Sequence, residues 1–69
     1  MKMRVKAFKE KALIKIRDNP GMTRMQWFNS CISDDDDRDK LWHVFKFEVA
    51  LPLIIGGWVK SEGEQFFPQ

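Results

Sequence analysis

The sequence predicts a mainly α-helical domain closed by a C-terminal β-hairpin, and three observations carry that expectation. Apolar residues recur at helical spacing over residues 5–17. Two helix starts follow, one at the T-x-x-Q run from Thr23 to Gln26 and one at Ser33. The tail "GWVKSEGEQFFP" (57–68) then offers two short β-prone arms on either side of Glu62-Gly63.

The first helix is expected from about Val5 to Arg17. Val5, Phe8, Ala12, Leu13 and Ile16 fall on one face with lysines opposite, and Ile14 lies outside the stripe. Residues 1–7 also alternate apolar and basic, which leaves the first few open between helix and strand. The helix must end near Asp18, because the residue before Pro20 is biased out of the helical region and Gly21 suits a turn.

Thr23 and Gln26 form a capping box for a short second helix, roughly Arg24 to Ser30. Met22 before the cap and Trp27 after it stand where a hydrophobic staple packs.

For the third helix Ser33 is the expected cap. The aspartates behind it fall in the first turn, where a carboxylate complements the helix dipole by about 0.3–1 kcal/mol. Leu41, Trp42, Phe45 and Val49 share one face of this helix. His43, Phe47 and Ala50 fall opposite, with Lys46 toward the edge. Pro52 should kink or end the helix, since it lacks an N–H and crowds the preceding turn. A last turn can reach Ile55 before Gly56-Gly57 stops it. In the tail, Trp58 and Val59 lie on one arm and Phe66 and Phe67 on the other, with Pro68 ending the strand.

With 69 residues the chain forms one domain, residues 1–69. Its lone Cys31 has no internal partner, which points to a reducing, cytoplasmic setting. Charges interrupt residues 1–18, so no secretory leader is expected. The longest apolar stretch, "VALPLIIGGWV" (49–59), is shorter than the roughly 20 residues of a bilayer-spanning helix.

The net charge of +2 hides an asymmetry. In residues 1–18, Lys2, Arg4, Lys6, Lys9, Lys11, Lys15 and Arg17 stand against Glu10 and Asp18, net +5. Residues 19–41 hold Arg24, Arg38 and Lys40 against five aspartates, net −2. In residues 42–69, Lys46 and Lys60 face Glu48, Glu62 and Glu64, net −1. A basic first third suits an anionic partner or a solvated helix face.

Two passages resemble the winged helix-turn-helix domains of small bacterial or phage-type DNA-binding regulators. In "ALIKIRDNPGMTRMQW" (12–27) apolar residues precede a Pro-Gly turn and a capping Thr, as between the family's first and second helices. In "LIIGGWVKSEGEQFFP" (53–68) an apolar residue, glycines, an apolar pair, a polar Gly turn and an aromatic pair resemble the end of its third helix and its wing. The resemblance covers roughly residues 7–68 and implies a three-helix winged helix-turn-helix.

It also implies roles. The third helix would enter the major groove, with Arg38, Lys40, His43 and Lys46 able to donate to phosphates or base edges. The start of the second helix, with Thr23 and Arg24, would hold a phosphate, and Lys60 and Ser61 at the wing tip would reach the neighbouring backbone.

Two features depart from that family. Asp34, Asp35, Asp36, Asp37 and Asp39 stand where the phosphate potential is negative, and binding there needs cations. From Leu41 to Ile55 nearly every position except His43, Lys46 and Glu48 is apolar or proline. The surplus, Trp42, Phe47, Leu51 and Leu53, is expected to meet a second chain as a homodimer; a kinked helix folding back is the alternative.

Other chemistry has little basis. "DDDDRD" (34–39) lacks the central Gly and the later Glu of a Ca²⁺ loop. His43 and Cys31 make neither a zinc set nor a nucleophile pair. No glycine-rich phosphate loop occurs. No catalysis, cofactor, metal or small-molecule substrate is expected. Membrane binding is not expected either, because the apolar stripe of the first helix is what a three-helix core requires.

Two functions remain. The first is a small DNA-binding transcriptional regulator, acting through the third helix and wing as a dimer on double-stranded DNA. The alternative is a protein-interaction module, an anti-repressor or inhibitor, presenting Asp34–Asp37 to a basic protein partner.

Overall fold

The computed structural model describes residues 4–69. Residues 1–3 of the alternating N-terminal stretch lie outside the described residues; Arg4 is extended (φ −74°, ψ 142°) and helix α1, Val5–Asp18, begins directly after it. Phe8, Ala12 and Ile16 of its stripe are buried, Leu13 packs at the edge of the core, and Ile14 is exposed. The Asn19 N–H closes the helix on the Lys15 carbonyl at 3.0 Å. Gly21 then adopts φ 88°, a left-handed conformation that suits glycine.

Strand β1, Met22–Thr23, leads into helix α2, Arg24–Cys31. The capping box is formed in full: the Gln26 N–H donates to Thr23 Oγ1 at 3.2 Å, and the Thr23 N–H donates to Gln26 Oε1 at 2.9 Å.

The third helical stretch is continuous from Arg38 to Ile55 but changes winding twice. It comprises α3, Arg38–Val44, a π-helical segment, Phe45–Ala50, and α4, Leu51–Ile55. Pro52 therefore does not end the helix. The wider π turn ahead of it, with the Leu51 N–H reaching the Lys46 carbonyl five residues back, absorbs the bond that proline cannot make.

The same widening corrects a side-chain assignment. Each residue of a π turn advances through a smaller angle than in an α-helix, so Ala50, expected opposite Phe45, arrives in the core instead.

The helix ends in a Schellman motif: the Trp58 N–H donates to the Leu53 carbonyl at 2.9 Å and the Gly57 N–H to the Ile54 carbonyl at 3.1 Å, with Gly57 at φ 81°. Strands β2, Val59–Glu62, and β3, Gln65–Pro68, form the hairpin, pairing Val59 with Pro68 and Glu62 with Gln65. The sheet has a third strand that no local signal marked. β1 pairs antiparallel with β3, Met22 against Phe66 and Thr23 against Gln65, giving the order β1-β3-β2. Pro68 ends β3 as expected, at a position β1 does not reach, so its missing N–H costs the sheet nothing.

The fold is thus mainly helical with a small three-stranded antiparallel sheet. An aromatic cluster fills its centre. Trp27 meets Phe45 edge-on at 5.1 Å and Phe66 at 5.4 Å, and Phe45 also meets Phe8 at 5.7 Å and Phe28 at 5.4 Å. The buried Trp27 indole donates to the Ala12 carbonyl at 2.8 Å, fastening α2 to α1 with its polar atom satisfied.

Candidate functional site

The acidic run is a turn before it is a helix. The Ser33 N–H and hydroxyl both donate to the Asp36 carboxylate, at 2.8 and 3.1 Å, and the Asp36 N–H returns to the Ser33 carbonyl at 3.1 Å. Ser33, consumed by this exchange, is not the cap of the third helix. Asp37 is, accepting from the Lys40 N–H at 3.3 Å.

Bonding to the Ser33 N–H holds the Asp36 carboxyl below the ordinary aspartate range, with the Ser33 hydroxyl and Lys11 acting in the same direction. Asp34, Asp35, Asp37 and Asp39 are exposed, and none of the aspartates forms an ion pair among the described residues.

The cations expected to meet DNA divide into two groups. Lys40 and His43 point outward from α3. The others are engaged within the fold. Arg38 donates to Asn29 Oδ1 at 2.6 Å and lies 5.4 Å above the Phe28 ring. The Lys46 ammonium sits 5.3 Å from the Trp42 ring and 5.3 Å from the Phe47 ring. Lys60 pairs with Glu62 at 3.1 Å, both exposed.

The Thr23 hydroxyl is occupied by its cap, while Arg24 lies 5.6 Å over Phe66 in a shallow cleft with Gly63 and Glu64. That cleft brings the start of α2 to the hairpin tip. Ser61 is exposed on β2. The hairpin packs on α1 through β3 and on α4 through β2.

The apolar surplus sorts differently from the sequence expectation. Leu53 is 6% exposed and belongs to the core, because it follows Val49 by one turn on the inner face. Trp42 is half-buried, edge-on to Phe28 at 5.0 Å and stacked at 6.2 Å on Phe45. Neither is surplus. What remains outside is Phe47 (61% exposed), Leu51 (45%) and Ile55 (77%), spaced by four along the helix, with Trp58 (53%) beyond the glycines. Ile55 and Trp58 were not among the expected interface residues; the spacing of Ile55 from Leu51 is the signal that could have found the first.

Burial pushes the Cys31 thiol up, with Ser30, Lys11 and Lys15 opposing more weakly, which suits a protonated core residue. Among the described residues no cluster of three or more His, Cys, Asp or Glu is placed to hold a metal ion, and no helix is long and apolar enough to cross a membrane. Comparison with protein-family models, with curated proteins and with solved structures finds no match to this chain.

Proposed function

We propose that this chain is a protein-interaction module on a winged-helix scaffold, presenting the outer line of its long helix and the acidic turn at its start to a basic protein partner. The scaffold reading is supported by the order α1-β1-α2-α3-α4-β2-β3 with the sheet order β1-β3-β2. The observation that carries the function is the outer line itself. Where a DNA reader of this design needs donors, the helix offers Phe47, Leu51 and Ile55.

Charge weighs the same way. Over the third helix, the hairpin tip and the start of α2, Asp34, Asp35, Asp36, Asp37, Asp39, Glu48, Glu62 and Glu64 make eight acids, against Arg24, Arg38, Lys40, Lys46 and Lys60. Phosphate binding gains from released counterions only where cations replace them.

The test compares the full chain with an Asp34→Asn, Asp35→Asn, Asp36→Asn, Asp37→Asn variant and a Phe47→Ser/Leu51→Ser variant. Each is used to capture partners from its own cells and is titrated against random duplex DNA at low salt. The expected result is a retained basic protein that both variants lose. Salt-dependent duplex binding weakened by Lys40→Ala and His43→Ala would sink the proposal.

DNA binding by a dimer is the second reading. Outward Lys40 and His43 and the exposed Arg24 at the start of α2 favour it. On that reading the Asn variant binds duplex more tightly than the parent, as repulsion is removed.

A further inference from the structure

A second surface lies apart from the acidic turn. α1 and the end of the long helix enclose a groove of about 210 Å³, lined by Lys6, Lys9, Glu10, Leu13, Pro52, Leu53 and Trp58. Leu13, Pro52 and Leu53 are its apolar lining, and the half-exposed Trp58 ring adds an aromatic wall. An apolar cavity of about 150 Å³ already takes a benzene ring, so the groove has room for one large side chain.

The backbone that carries the Trp58 wall is tied down at both its polar groups. The Trp58 N–H is bonded to the Leu53 carbonyl, and the Trp58 carbonyl accepts from the Gln69 N–H at 3.0 Å. Gly56 permits the ring's close approach: a Cβ there would lie 3.0 Å from Trp58 Cδ1 and 3.1 Å from the Pro52 carbonyl. A half-exposed tryptophan beside an apolar floor is the kind of residue on which binding energy concentrates.

Above that floor stand Lys6 and Lys9, neither in an ion pair among the described residues, with Glu10 the one acid among the lining residues.

We propose that this groove binds a short acidic segment of a partner protein through one bulky apolar side chain seated against Trp58, with acidic neighbours meeting Lys6 and Lys9. The occupant's chemistry follows from charge complementarity: an apolar floor selects the anchor, and two unpaired ammonium groups select its flanks.

Selection of short random-sequence peptides on the full chain, displayed on phage, is the experiment. Enriched peptides should carry acidic residues around a Leu, Phe, Met or Trp. Measured by fluorescence anisotropy, the best of them should lose about tenfold or more in affinity with Lys6→Glu/Lys9→Glu, which turns two attractions into repulsions, and likewise with Trp58→Ala. Phe47→Ser should leave it unchanged.

A version of that peptide with lysines for its acids should bind the Lys6→Glu/Lys9→Glu variant. This charge swap separates a lost contact from a lost fold. The proposal is overturned by no enrichment, by basic or neutral winners, or by binding indifferent to Trp58. It is equally overturned if the Lys6→Glu/Lys9→Glu variant loses attachment to phosphatidylserine vesicles, or self-association in light scattering, instead of peptide binding.

Discussion

The two sides of the long helix are written in nearly the same alphabet and meet opposite fates. Phe45, Val49 and Leu53 recur every four residues and are buried; Phe47, Leu51 and Ile55 recur every four residues and face outward. Hydrophobicity and period are shared, so neither decides which line is core. The decision comes from the partner surfaces: Trp27, Phe28 and Phe8 converge on Phe45, while among the described residues Phe47 meets the Lys46 ammonium. An apolar periodicity thus states that a helix has an inside and leaves open which of two stripes it is.

Substitutions should separate the two lines sharply. Phe45→Ala, which opens the aromatic cluster, should cost about 3–5 kcal/mol in urea unfolding, enough to leave a domain this small largely unfolded. A loss under about 1 kcal/mol would place the core elsewhere.

Ala50 tests the winding that moved it inward. Ala50→Leu should destabilise by about 1–3 kcal/mol through overpacking, whereas on an outward face it would be nearly silent.

At the start of the same helix, Asp37→Ala should cost about 1 kcal/mol as a lost cap, measured by the same unfolding. Ser33→Ala should cost less, because it removes only one of the Asp36 carboxylate's two Ser33 donors.

The outer line should be the most forgiving. Phe47→Ser with Leu51→Ser should change stability by no more than about 0.5 kcal/mol per site while abolishing partner capture.

Smallest of all is the effect of acid on the Ser33–Asp36 turn. The Asp36 carboxyl is depressed in the folded chain, so its contribution is present above the ordinary aspartate value of about 3.9. It is lost as pH falls below that value and through the folded one. NMR titration of the Asp36 side chain should therefore show a midpoint below the ordinary aspartate value.

The parts of the fold that were legible are those whose cause is local. The stripe of α1, the Thr23–Gln26 box and the glycine stop are each decided by residues within a turn or two of one another. The parts that were not legible depend on distance or on competition. β1 has only two residues and exists because Phe66 and Gln65 arrive beside it. Ser33 and Asp37 are both competent caps, and Asp37 caps the helix while Ser33 is bonded to Asp36. Pro52 signalled a disturbance, but not that a π turn would absorb it.

The site shows the same division. Lys46 with Trp42 and Lys60 with Glu62 are neighbours along a helix and a strand, whereas only folding could bring Arg38 to Asn29 nine residues back.

The β1–β3 pairing has a consequence for how the chain assembles. The Gln65 side-chain amide donates to the Gly21 carbonyl at 3.1 Å across 44 residues, and the Gly21 N–H reaches the Phe66 carbonyl at 2.8 Å. The packing of α1 on the long helix, Phe8 against Phe45, also joins residues far apart in sequence. The sheet must close a loop that encloses α2 and the whole long helix, a step with a substantial entropic barrier. Refolding should therefore be limited by these long closures, and the one made by the hairpin on Met22–Thr23 also locks the turn after the first helix.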